Sequence, residues 1–174
     1  WLEEFKPSVG VVLYRSNYTS GDLKLAHSLL NEIRNQGLSP KTLFVSSLRD
    51  PIIQKAVIKY FSDASVKVVI TTTSFSSVKF EDAKLGSPIW DALDVPVLQL
   101  LCSSVNQENW LKSSKGMSPI DLSLQVVLPE LDGRITTRPC AFKSIVESNK
   151  NLSTIIQSLK PERPNIQWLA KHIN

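Results

Sequence analysis

The first clear pattern in the chain is VGVVLY (Val9 to Tyr14), a short and nearly continuous apolar run. Such a run marks a strand covered on both faces, as in a parallel sheet. The polar stretch RSNYTSGD follows, and from Asp22 apolar residues return at Leu25, Ala26, Leu29, Leu30 and Ile33. That spacing predicts a helix with Asp22 or Ser20 as its cap and Gly37 just past its end. KTLFVSSL (Lys41 to Leu48) predicts a second strand. DPIIQKAVIKYF predicts a second helix, with Asp50 as N-cap and Pro51 in the first helical position. VKVVITTT (Val66 to Thr73) predicts a third strand, SFSSVKFEDAKLGSP a polar loop long enough to carry function, and IWDAL a short helical turn. VPVLQLLCS (Val95 to Ser103) predicts the fourth strand, where Pro96 fits only at the beginning.

Beyond that strand a helical turn is expected around Trp110. Ser118 then caps an apolar helix, with Pro119 at its first position and Asp121 at its third. PELDG (Pro129 to Gly133) ends this helix. RITTRPCAF predicts a fifth strand, which Pro139 marks as an edge. Ile155 to Leu159 reads as a turn, KPERPN as a joint and IQWLAKHI as a final helix. Strands alternating with helices imply βαβ units. The expected fold is therefore α/β, a flavodoxin-like three-layer sandwich with a five-stranded parallel sheet in the order 2-1-3-4-5. The length of 174 residues fits one domain spanning residues 1–174, with Trp1–Pro7 as lead-in and Lys160–Asn174 as C-terminal joint and helix.

Composition narrows the function more than the fold. The net charge is only +4, and no Lys/Arg cluster exceeds two residues, so no nucleic-acid partner is expected. No apolar run approaches the roughly 20 residues of a membrane span, and WLEEFKPS is too charged for a signal peptide. Cys102 and Cys140 make neither a disulfide framework nor a metal-ligand spacing, and they read as buried thiols of a cytoplasmic protein. His27 and His172 lie too far apart for a helical metal motif; solvated side chains and no metal site are expected. The opening Trp1, without an initiator Met, suggests an internal piece of a longer protein.

In a sheet of this kind ligands collect beyond the carboxyl ends of the strands, near the switch point between strands 1 and 3. The loops expected there are polar, and the candidate ligand-binding residues are Arg15, Ser16, Tyr18, Gly21, Ser74, Phe75, Ser103 and Ser104. Hydroxyls, a guanidinium and ring faces suit a ligand with carboxylates or amides on a flat apolar body. The alternative is that these Ser, Thr and Gly residues serve only turns and caps. The chain has no Gly-x-Gly-x-x-Gly, no phosphate-binding P-loop and no Gly-x-Ser-x-Gly elbow. The loop SNYTSGD bears a loose likeness to a flavodoxin phosphate loop, which keeps a flavin- or anion-binding module open as another reading.

WLKSSKGMSPIDLSLQVVLPELDGRI, with Trp110, Ser113 or Ser114, Gly116, Pro119 and Pro129 to Gly133, resembles a segment of the large subunits of cobaltochelatase and magnesium chelatase. YRSNYTSGD, LFVSSLRD and VPVLQLL support the likeness, and GRITTRPCAFK favours the cobalt type. The resemblance covers about Val9 to Ile173. It implies a domain of the large tetrapyrrole-binding subunit of an ATP-dependent chelatase that inserts cobalt into hydrogenobyrinic acid a,c-diamide in cobalamin synthesis. It also implies that ATP is used by separate ATPase subunits, that this domain binds no cofactor of its own, and that its partners are the other domains of the large subunit, the ATPase subunits and the tetrapyrrole. Alternatives are the same domain of the large magnesium chelatase subunit, which serves magnesium and protoporphyrin IX, and a docking or scaffold domain without catalytic residues.

Within that likeness, metal insertion needs a base for two pyrrole N–H protons and oxygen ligands for a hydrated divalent ion. Glu130 and Asp132, fixed by the PELDG turn, are the candidate catalytic residues. The opposing reading has Asp132 accepting backbone N–H bonds in a local turn and Glu130 exposed or paired with Arg134. The isolated chain is expected to be inactive.

Overall fold

A computed structural model of the chain describes residues 6–77, 88–114, 116–149 and 154–174. The elements run β1 (Ser8–Tyr14), α1 (Arg15–Thr19), α2 (Lys24–Asn35), β2 (Ser39–Val45), α3 (Pro51–Asp63), β3 (Val66–Thr71), α4 (Pro88–Leu93), β4 (Val97–Ser103) and α5 (Gln107–Lys112). Then come α6 (Pro119–Leu122), a π-helical turn (Ser123–Val127) and α7 (Leu128–Glu130), followed by β5 (Ile135–Asn149), β6 (Thr154–Pro161) and α8 (Arg163–His172). Trp1 to Phe5 and the middle of the polar loop after β3 lie outside the described residues.

Six strands form one sheet in the order β2-β1-β3-β4-β5-β6. The first five are parallel and follow the expected order; β6 runs antiparallel to β5. The apolar run of β1 serves two cores because successive side chains point to opposite faces. Val9, Val11 and Leu13 pack with Leu25, Leu29 and Ile33 of α2 and Ile166 and Leu169 of α8. Val12 packs on the other side with Val57 and Phe61 of α3 and Ile89 and Trp90 of α4. Gly10 shares this second face: a Cβ there would lie 2.9 Å from the Phe61 ring, so the closeness of α3 depends on the missing side chain. The result is a mixed α/β sandwich of three layers.

Several expectations need correction. The sheet has six strands, not five. β5 is 15 residues long and is not an edge, because Thr154–Pro161, read as a turn and a joint, pairs along it as β6. Pro139 is tolerated because it faces Leu101 at a register irregularity, and because β6 pairing reaches only Ala141. The Pro139 carbonyl instead accepts Asn165 Nδ2 at 2.7 Å, and the Cys140 carbonyl accepts the Glu162 N–H at 2.7 Å. The stretch after β1 is partly helical. Asp22 does not cap α2; its Oδ2 accepts the Leu159 N–H at 3.0 Å, tying the α1–α2 loop to β6. The caps at Asp50 and Ser118 form as expected, through the N–H groups of Ile52 (2.8 Å) and Asp121 (3.1 Å).

Candidate functional site at the carboxyl edge of the sheet

The two carboxylates of PELDG have opposite surroundings. Glu130 is exposed at the end of α7, and its Oε1 accepts the Thr136 hydroxyl at 3.2 Å. Asp132 is buried and pairs with Arg134 at 2.7 Å, both side chains being 0% exposed. Arg134 therefore pairs with Asp132 and not with Glu130. The Asp132 acceptors reach far beyond a local turn: Oδ2 takes the Ser77 N–H at 2.7 Å, and Oδ1 takes the Ser76 hydroxyl. The short helix end is fixed by Gly133, at φ 73°, and by the Gly133 and Arg134 N–H groups bonding the carbonyls of Glu130 and Pro129.

The Arg134 fork continues the network. Nη1 donates to the Thr73 carbonyl at 2.8 Å and to Gln99 Oε1 at 3.0 Å; Nη2 donates to the Phe75 carbonyl at 3.0 Å. The guanidinium also lies over the Trp90 ring, 5.5 Å from its centroid. Burial pulls the Arg134 pKa below its ordinary value, while the Asp132 charge and hydrogen bond pull it back up. A buried pair of this kind is costly to assemble but costlier to break on one side. Here it clamps the segment after β3 onto the start of β5.

A second network ties α6 and the π-helical turn to the end of β4. The Gln125 carboxamide meets Cys102 as another strand would, accepting its N–H at 2.7 Å and donating to its carbonyl at 2.7 Å. Gln125 also donates to Asp121 Oδ1 at 3.2 Å, and Asp121 Oδ2 accepts the N–H (3.0 Å) and hydroxyl (2.6 Å) of Ser104. π-helical turns recur at functional sites. This one falls within the apolar helix expected from the sequence, where the pattern carries no sign of it. Both thiols nearby are pushed up to about 12, with burial as the main cause for Cys102 and for Cys140.

Beside the Asp132–Arg134 network an open cavity of about 270 Å³ lies at the carboxyl ends of β1, β2 and β3, lined by Tyr14, Ser46, Ser47, Arg49, Ser74 and Phe75 among others. The Tyr14 hydroxyl donates to the Ser74 carbonyl at 3.2 Å, and burial raises its pKa. Of the candidate ligand residues, the structure brings Ser74 and Phe75 together here. Ser104 is bonded to Asp121, and the Ser103 hydroxyl accepts the Val105 N–H at 3.2 Å. Arg15, Ser16, Tyr18 and Gly21 sit on α1 and its following turn and do not line this cavity; the Tyr18 ring packs 5.3 Å from that of Phe44. Sequence reasoning missed Tyr14, Arg49, Gln99 and Gln125 as contributors, and it offered Arg134 as a partner of Glu130 where the structure pairs it with Asp132. Arg49 had a legible signal, since it follows β2 at the same edge where Arg15 follows β1.

The fold is that of a mixed α/β domain with a polar carboxyl edge. A family model described as CobN/Magnesium Chelatase matches residues 1–174, and the chain belongs to that family. It is 32% identical over 152 residues to the aerobic cobaltochelatase subunit CobN of Pseudomonas aeruginosa, covering 87% of this chain and 12% of that protein. It is 33% identical over 164 residues to the protein of the same name from Sinorhizobium sp, covering 94% and 13%. The chloroplastic magnesium-chelatase subunit ChlH of Oryza sativa is 31% identical over 133 residues, covering 73% and 10%. The catalytic subunit of cobaltochelatase from Mycobacterium tuberculosis superposes with a TM-score of 0.78 at 26% identity, over 97% of this chain and 14% of that one. The chain thus spans about an eighth of the length of the curated cobalt-type relatives, at 12% and 13%.

Proposed function

We propose that this chain is a domain of the large tetrapyrrole-binding subunit of an ATP-dependent cobaltochelatase, which inserts cobalt into hydrogenobyrinic acid a,c-diamide in the cytoplasm. The observation that carries the reading is the pair of cobalt-type relatives matched over 87% and 94% of the chain, against 73% for the rice magnesium-type protein. Separate ATPase subunits supply ATP hydrolysis, and the rest of the large subunit packs around this domain. The contribution of the domain is a rigid, polar carboxyl edge turned toward the substrate. The fully bonded Asp132 supports a positioning role; Glu130, exposed at the same turn, is the carboxylate of the two that is open to proton or metal transfer.

The test is reconstitution of the full-length large subunit with its ATPase partners, ATP, and either cobalt with the diamide or magnesium with protoporphyrin IX. Cobalt insertion is expected, and the 174-residue chain alone is expected to give no rate above the uncatalysed one. Magnesium insertion in place of cobalt, or turnover by the chain alone, would overturn the reading.

A further inference from the structure

The Phe75 backbone carries a strain that the fold goes to some length to hold. Its φ is 67°, a left-handed conformation that a non-glycine residue, and a bulky aromatic one above all, seldom adopts. It is fixed from both sides, its N–H donating to the Leu124 carbonyl at 3.0 Å and its carbonyl accepting from Arg134 Nη2 at 3.0 Å. The first bond comes from the π-helical turn and the second from the buried Asp132–Arg134 pair. Yet the side chain so placed is 44% exposed, in the wall of the cavity. Strain retained to present an exposed ring points to a contact with something outside the domain's own core.

Arg49 stands against that ring, its guanidinium carbon 5.5 Å from the ring centroid. Its Nε donates to the Ser76 carbonyl at 3.0 Å, which fixes the plane of the fork. Among the described residues both Nη groups remain without a partner. The opposite wall is equally fixed: Ser47 Oγ accepts the Arg49 N–H at 3.1 Å, and Gln54 of α3 donates to the carbonyls of Leu48 (2.7 Å) and Ser77 (3.2 Å). A planar cation beside an aromatic face, in a half-enclosed pocket with serine hydroxyls, is the chemistry that binds a carboxylate attached to a flat ring.

We infer that Arg49 and Phe75 form a binding subsite for a carboxylate carried on a flat, conjugated ring, with the Nη fork taking the carboxylate and Phe75 the ring face. At about 270 Å³ the cavity lies just below the usual range of roughly 300–1,000 Å³ for ligand pockets, so it takes one edge of a larger ligand. The buried Asp132–Arg134 pair acts here through Phe75, as a positioning element.

The experiment titrates the 174-residue chain with benzoate, benzamide and acetate, following backbone amide NMR shifts of residues 46–49 and 73–76. Benzoate is expected to bind at least about tenfold more tightly than benzamide, the worth of one charge-assisted contact, and more tightly than acetate. R49Q is expected to erase the preference for benzoate over benzamide, and F75A to erase the preference for benzoate over acetate. A merely structural role for Arg49 would weaken both aromatic probes alike. Equal binding of benzoate and benzamide by the unaltered chain, a preference that survives R49Q, or no shift with any probe would each overturn the subsite. The subsite is independent of the chelatase reading: benzoate binding with no metal insertion by the full complex removes that reading alone, and insertion with no benzoate binding removes only the subsite.

Discussion

Asp132 and Arg134 stand two residues apart, yet their buried ion pair at 2.7 Å is chiefly a long-range device, with its other bonds going to residues 55 to 61 positions upstream and to Gln99. The pair joins the segment after β3 to the start of β5, and through Phe75 it shapes the cavity at the carboxyl edge.

Removing one partner should be worse than removing both. Asp132→Ala leaves the Arg134 charge buried and unpaired, with an expected cost of about 3–5 kcal/mol. The double change Asp132→Ala with Arg134→Met should cost less than Asp132→Ala alone. Urea unfolding of the three proteins measures this; a double variant less stable than the single one would show that the bonds from Arg134 to Thr73, Phe75 and Gln99 matter more than its charge pairing.

Glu130→Ala should change stability by no more than about 0.5 kcal/mol, since the side chain is exposed and makes one 3.2 Å bond to Thr136. Gly133→Val should cost about 1–3 kcal/mol, because φ there is 73°. In the full-length protein, loss of metal insertion in Glu130→Ala with stability intact would place that carboxylate in the reaction.

Gln125→Ala removes both partners of the Cys102 backbone, whose N–H and carbonyl are bonded at 2.7 Å each. An expected loss of about 2 kcal/mol or more follows from leaving buried backbone groups unmet. Amide hydrogen exchange at Cys102 should accelerate in the variant; unchanged exchange would mean that the sheet protects this amide without Gln125.

Gly10→Ala should destabilise by about 1–3 kcal/mol, because its Cβ would come within 2.9 Å of the fully buried Phe61 ring. The partner change Phe61→Leu should recover part of that loss. Additive costs in the double variant would argue against the contact.

The thiols give a pH prediction. Both pKa values rise in the fold to about 12 from 9.0, so the folded chain keeps its thiol protons where the unfolded chain has lost them. These groups leave stability unchanged below about pH 9 and lower it as pH rises from there toward 12. At about pH 8 the buried Cys140 should resist iodoacetamide until the chain unfolds. Rapid native-state alkylation, read by mass spectrometry, would contradict this.

The layered architecture was legible in the residues alone, because burial on both faces demands continuous apolar strands and burial on one face demands helical spacing. Val9 to Leu13, the stripe from Leu25 to Ile33, and the caps at Asp50 and Ser118 carry that information locally. So do the helix stop at PELDG and the polar carboxyl edge. Relationships set by distant partners were not legible. Thr154–Pro161 became a strand because the outer half of β5 offered it an unpaired edge, a fact absent from its own pattern. Pro139 reads as an edge marker, but only the tertiary structure shows that β6 covers the rest of β5 and stops at Ala141, short of it. Asp132 and Glu130 look alike in the sequence. Only the segment bearing Ser76 and Ser77, packed over one of them, makes the first a buried anchor and leaves the second in water, since the fate of a charge depends on what surrounds it in space.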